Sequence, residues 1–247
     1  MGKEVVIMSR LNYLQVKNST DTSADIYFYG DIVGDEWEKW CDTDTCPQDV
    51  INVLNEAQGK DLNIYINSGG GSVFAGLAIY NMLSRATGKK ICHIDSLAGS
   101  IASVICMAGD EIIMPNNSYL MIHKPSNIVW GNSIEMRKMA DDLDIIQVGI
   151  ENVYKTKLKD GINIETIRDL MDKETWLSAN EAEKYFNIKV SEDNRAVAKL
   201  DLKNLKNYRN IPEDLKNKIE NKSSEEEPKL NNALKNKLQI ELDLLNM

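Results

Sequence analysis

Ser100 stands where an apolar run, Lys89 to Ile94, gives way through the small residues Ser-Leu-Ala-Gly to a second apolar run beginning at Ile101. A serine at the start of a helix has two chemical assets. The first N–H groups of a helix lack internal partners, and the helix dipole favours negative charge beside them. An oxyanion forming next to Ser100 could therefore accept the N–H of Ile101. The same position also suits a plain N-cap serine. A second element is Asn67-Ser-Gly-Gly-Gly71, where three glycines follow an apolar run. Glycines there let backbone N–H groups approach a ligand or an oxyanion, or they form an ordinary tight turn. No phosphate-loop or dinucleotide pattern accompanies them. The third element is His123, which closes the apolar stretch Leu120-Met-Ile. It is one of two histidines; the other, His93, lies inside a strand-like run and reads as structural. Serine, histidine and a carboxylate together suit nucleophilic catalysis, because a base must take the serine proton and an acid must orient the base.

The elements that must position these residues alternate. Ala24–Tyr29, Leu62–Ile66 and Lys89–Ile94 read as strands. Gln48–Gln58, Ser72–Arg85 and Ser100–Ala108 have helical spacing. Glu111–Met114 and Ser118–His123 read as a pair of strands around the turn Pro-Asn-Asn. Asn132–Leu158 is a long helix opened by an Asn132/Glu135 capping box. Ile164–Met171 and Ala179–Tyr185 are shorter helices. Strands alternating with helices predict an α/β fold on a mostly parallel sheet.

The net charge of −9 argues against nucleic acid as a partner, since a phosphate backbone needs a basic face. Neither a secretory leader nor a spanning helix is expected: MGKEVVIMSR lacks an apolar core, and the uncharged run Ser96–Gly109 is too short. Cys41, Cys46, Cys92 and Cys106 form no CxxC pair, so neither metal nor disulfide is expected, and a cytoplasmic location follows. Composition shifts near residue 191. Residues 191–247 carry 11 basic and 11 acidic residues, so residues 1–190 hold the whole charge imbalance. Two regions are therefore expected: a domain over 1–190 and a charged tail over 191–247. Within the tail, Ser223–Pro228 reads as a solvated linker. Leu230, Leu234, Leu238, Leu242 and Leu245 then form one face of an amphipathic helix.

Three blocks occur in order: IYINSGGGSVFAGLAIYNML, SLAGSIASVICMAGDEIIMPNNSYLMIHKP and ETWLSANEAEKY. Together they resemble the Clp serine peptidase family over roughly residues 24–190. The likeness is strongest to the head-maturation (prohead) proteases of tailed bacteriophages and prophages. The resemblance implies a ClpP/crotonase-like fold: a parallel sheet with flanking helices and a long projecting helix, assembled as homo-oligomeric rings. It implies Ser100 as nucleophile and His123 as general base. Gly71 and Ile101 supply the oxyanion N–H groups, and the Gly69–Gly71 strip, Gly70 included, holds substrate as an added strand. It implies capsid or scaffold proteins as substrates and no cofactor.

Three departures from the family pattern matter. Glu174-Thr-Trp176 stands where the housekeeping peptidase has Asp-Arg-Phe. Glu174 then aligns with the third triad member, with Asp172 as its rival. Leu97-Ala-Gly-Ser100-Ile101 replaces Gln-Ala-Ala-Ser-Met, which changes packing and not chemistry. The first 23 residues do not resemble the axial-loop segment that serves an unfoldase ATPase, which argues against such a partner. Lys124 raises a Ser–Lys dyad, but alternation along a strand would turn it away from a site holding His123. Two other readings stay open: a crotonase-type acyl-CoA enzyme on the same fold, and an inactive ring that scaffolds assembly.

Overall fold

The computed structural model describes residues 19–192 and 208–213. The chain divides into two compact units, Met1–Asn210 and Ile211–Met247. The leucine-striped helix and the linker expected in the tail lie outside the described residues.

Among the described residues seven strands form one sheet: β1 (Ser23–Phe28), β2 (Asp61–Ser68), β3 (Lys90–Gly99), β4 (Glu111–Pro115), β5 (Tyr119–Ile122), β6 (Thr175–Ser178) and β7 (Lys189–Ser191). Among the described residues six α-helices accompany it: α1 (Pro47–Ala57), α2 (Val73–Arg85), α3 (Ile101–Cys106), α4 (Ser133–Lys155), α5 (Ile164–Asp172) and α6 (Ala179–Tyr185). The main path runs β1-β2-β3-β4-β7, all parallel, with β5 parallel to β3 and β6 antiparallel to β5. Isoleucines at alternate positions of β2, Ile64 and Ile66, are wholly buried, and Ile26, Ile79 and Ile94 join them in the core. Asn63 and Tyr65, alternating with Ile64 and Ile66, are only partly buried, so one face of the sheet carries the core.

Local chemistry sets the boundaries. Pro47 opens α1, where its missing N–H costs nothing. Asn132 accepts the N–H groups of Ile134 and Glu135, and Glu135 returns a bond to the N–H of Asn132, so the capping box predicted for α4 is present. α4 ends at Lys155, three residues before the expected Leu158.

Two expectations change. β4 and β5 do not pair around Pro-Asn-Asn. Both run parallel to β3, β4 beside Ile91–His93 and β5 beside Leu97–Gly99. β3 is ten residues long and reaches Gly99, so one strand serves two partners in succession. A short turn between apolar runs suggested a hairpin; the vacant positions along β3 decided otherwise. β6 and β7, of four and three residues, carry too little periodicity to be read from sequence.

Candidate active site

Ser100 joins the end of β3 to the start of α3 with φ 52° and ψ −126°. That left-handed φ is costly for a non-glycine residue. Its N–H donates to the carbonyl of Met121 on β5 at 2.9 Å, which fixes the turn. Ser100 occupies the N-cap position of α3, yet its side chain makes no cap bond. The hydroxyl lies 2.7 Å from His123 Nε2. His123 follows the last residue of β5, so the three paired residues of the β3–β5 seam place hydroxyl and imidazole side by side.

Burial lowers the pKa of His123 from the usual 6.5, and the charge of Glu174 opposes this. A neutral ring can accept the Ser100 proton. His93 is placed apart from Ser100, stacked on Tyr65 with centroids 4.8 Å apart.

The glycine strip packs against the serine. A Cβ on Gly70 would stand 2.7 Å from Ser100 Cβ and 3.2 Å from the Ile101 nitrogen. On Gly71 it would meet the Ile32 carbonyl at 2.1 Å. Both glycines have positive φ, 106° and 143°. Ile32 pairs with the strip through the carbonyl of Gly70 and the N–H of Ser72, at 2.8 and 2.7 Å. Alternation then turns Gly69 and Gly71 to the other edge. That edge meets a cavity of about 530 Å³ lined by Gly71, Ser100, His123, Lys124 and Glu174 among others. The N–H of Ile101, at the first position of α3, starts the helix beside Ser100.

The carboxylates are placed differently from the serine–histidine pair. Glu174, at φ 48° between α5 and β6, accepts the main-chain N–H groups of Arg209 and Asn210 at 2.6 and 2.7 Å. Among the described residues its hydrogen bonds go there and not to His123. Asp172 pairs with Lys124 at 3.5 Å. Lys124 lines the same cavity as His123, against the expectation from strand alternation, because β5 ends at Ile122 and alternation stops with it. Lys124 is also 3.8 Å from Asp144.

Tyr208 is a site residue that the sequence did not disclose. Its ring meets His123 edge-on with centroids 5.4 Å apart, and it meets Trp176 at 5.9 Å. Its hydroxyl donates to the carbonyl of Gly69. Burial pushes its phenol up to about 12. The only sequence signal was an aromatic residue in the Lys- and Asn-rich stretch LKNYRNIP, which has no periodicity.

Comparison with known proteins places this geometry. The Clp protease family profile matches residues 32–189. The chain is 35% identical over 137 residues to an ATP-dependent Clp protease proteolytic subunit of Ligilactobacillus salivarius, covering 51% of this chain and 64% of that one. It is 32% identical over 133 residues to the corresponding subunit of Chlorella vulgaris, covering 53% and 65%. It is 30% identical over 128 residues to subunit 3 of Rhodococcus jostii, covering 51% and 62%. The chain thus spans somewhat under two thirds of the length of these relatives. A solved mutant of ClpP1 from Listeria monocytogenes superposes with a TM-score of 0.56 at 23% identity, over 70% of this chain and 93% of that one, which establishes a shared fold. With the family profile matched from before β2 through β6, including the glycine strip and both residues of the serine–histidine contact, the chain belongs to the Clp protease family.

Proposed function

We propose that this chain is a serine endopeptidase working through Ser100 and His123. The supporting observation is the 2.7 Å contact between a serine freed from capping and a histidine that burial keeps neutral. His123 takes the proton of Ser100 as Oγ attacks the scissile carbonyl. The oxyanion is received by the N–H groups of Gly71 and Ile101; one such donor is worth on the order of 3 kcal/mol of barrier. His123 then protonates the leaving amine, and water releases the acyl group. An extended substrate would pair with the edge of Gly69 and Gly71 as an added strand, with Gly70 keeping the strip close to Ser100. Glu174 is proposed as the acid that stabilises the imidazolium, since its charge already acts on His123; Asp172 is engaged with Lys124.

The finer role we propose is ATP-independent head maturation in a phage or prophage, with capsid or scaffold proteins as substrates and a homo-oligomeric ring as the working form. It rests on the likeness of the three motif blocks to that branch of the family.

Ser100→Ala is expected to lower peptide hydrolysis by several orders of magnitude with little change in stability, because nucleophile and base act as a unit. A fluorophosphonate is expected to label wild type and not this variant. Hydrolysis by Ser100→Ala at the wild-type rate would refute the assignment, and wild type inert to the probe would favour an acyl-CoA enzyme or a scaffold. For the finer role, purified protein should cleave a capsid precursor without nucleotide; a strict need for an ATPase would count against it.

A further inference from the structure

Three consecutive residues, Tyr208, Arg209 and Asn210, make contacts with the glycine strip, the general base and its proposed carboxylate. The Tyr208 hydroxyl donates to the Gly69 carbonyl. That carbonyl is on the edge where an extended substrate would place a main-chain N–H. The Tyr208 ring closes over His123. Main-chain N–H groups of Arg209 and Asn210 occupy Glu174, and the Asn210 amide donates to the Lys173 carbonyl at 2.6 Å.

The phenol has one proton and gives it to Gly69, so it occupies the main-chain acceptor that an added strand would use, while its ring covers one side of His123. The carboxylate proposed to steady His123 is meanwhile held by two backbone donors.

We propose that Tyr208–Asn210 is a tethered inhibitor, an internal strap that occupies the peptide-binding edge and must leave before substrate can enter. The proposal rests on the serine peptidase reading. It also defines the ligand class the cleft accepts: a peptide carrying a tyrosine followed by two residues with main-chain N–H groups available to Glu174. A tethered ligand acts at an effective concentration in the millimolar range, so weak intrinsic binding suffices to hold the site shut.

The test uses the full-length chain as wild type, Tyr208→Ala and Tyr208→Phe. Two rates are read: phosphonylation of Ser100 by a small fluorophosphonate, and hydrolysis of a fluorogenic peptide. If the strap leaves a tenth of molecules open, its removal raises both rates about tenfold, since apparent affinity scales with the competent fraction. Tyr208→Ala is expected to show the full rise. Tyr208→Phe keeps the ring and the fold while losing the bond to Gly69, and is expected to rise partway. A synthetic peptide spanning residues 204–213 should then inhibit Tyr208→Ala at millimolar concentration. Equal rates in all three proteins overturn the strap while leaving the peptidase intact. Phosphonylation absent from all three overturns the peptidase reading and the strap together. Lower rates in both variants would make Tyr208 a part of the working site and likewise overturn the strap.

Discussion

Ser100 holds a positive φ that costs a residue of its kind about 1–3 kcal/mol. The N–H bond to Met121 and the close fit of Gly70 are what sustain it. Its partner His123 carries a pH signature whose sign is fixed by burial. The neutral ring is the active base, and burial lowers its pKa from 6.5. Activity should therefore be full near neutrality and fall as pH drops through a value below 6.5, where the ring takes a proton. A pH–rate profile for kcat/KM checks this, and an acid limb centred above 6.5 would contradict it. At this scale the sequence was informative about residues set in motifs. Ser100, His123 and the glycine strip stood between apolar runs that gave them context. Lys124 was misjudged because strand alternation was carried two residues past the end of β5. Tyr208 was missed because nothing in LKNYRNIP ties that tyrosine to a site more than eighty residues earlier in the chain. Spacing could not rank Glu174 against Asp172, because it does not disclose that Asp172 meets Lys124.

Between α2 and α3 the deciding residue is Gly76, whose absent side chain admits Ile101. A Cβ there would lie 2.1 Å from Ile101 Cγ1. Alanine normally favours a helix interior over glycine by about 1 kcal/mol. Overpacking a tight contact costs about 1–3 kcal/mol, so the clash should win. Gly76→Ala is expected to lower the denaturation midpoint and to slow hydrolysis, because α3 begins with Ile101, directly after Ser100. An unchanged or higher midpoint would show that this contact has slack. The helices were legible because their apolar spacing and caps are local: α6 falls on the expected Ala179–Tyr185, and the box at Asn132 is present. The strand partners were not, because pairing is decided between segments. Glu111–Pro115 and Tyr119–Ile122 each resemble half of a hairpin, and only the length of β3 shows that both add to it instead.

The whole molecule presents apolar side chains that its own fold leaves uncovered. Ile128 and Trp130 precede α4 and are fully exposed, and Ile134, Met136, Ile145 and Val148 lie exposed along it. Such a concentration marks a surface made for contact. With the ring assembly proposed above, light scattering should report a multiple of the 27.9 kDa chain mass. A stable monomer at micromolar concentration would count against the ring. The fold has a further practical consequence in its four thiols. Cys41 is exposed, whereas Cys46, Cys92 and Cys106 are buried, in turn at the start of α1, within β3 and at the end of α3. Burial raises the pKa of all three, to about 12 for Cys92, so they are shielded both by access and by lack of thiolate. A maleimide should therefore tag Cys41 at once, giving a single attachment point for a dye. Uptake of three further labels would then time the opening of the layers that hold Ser100 in place, and the chain would act as its own unfolding clock.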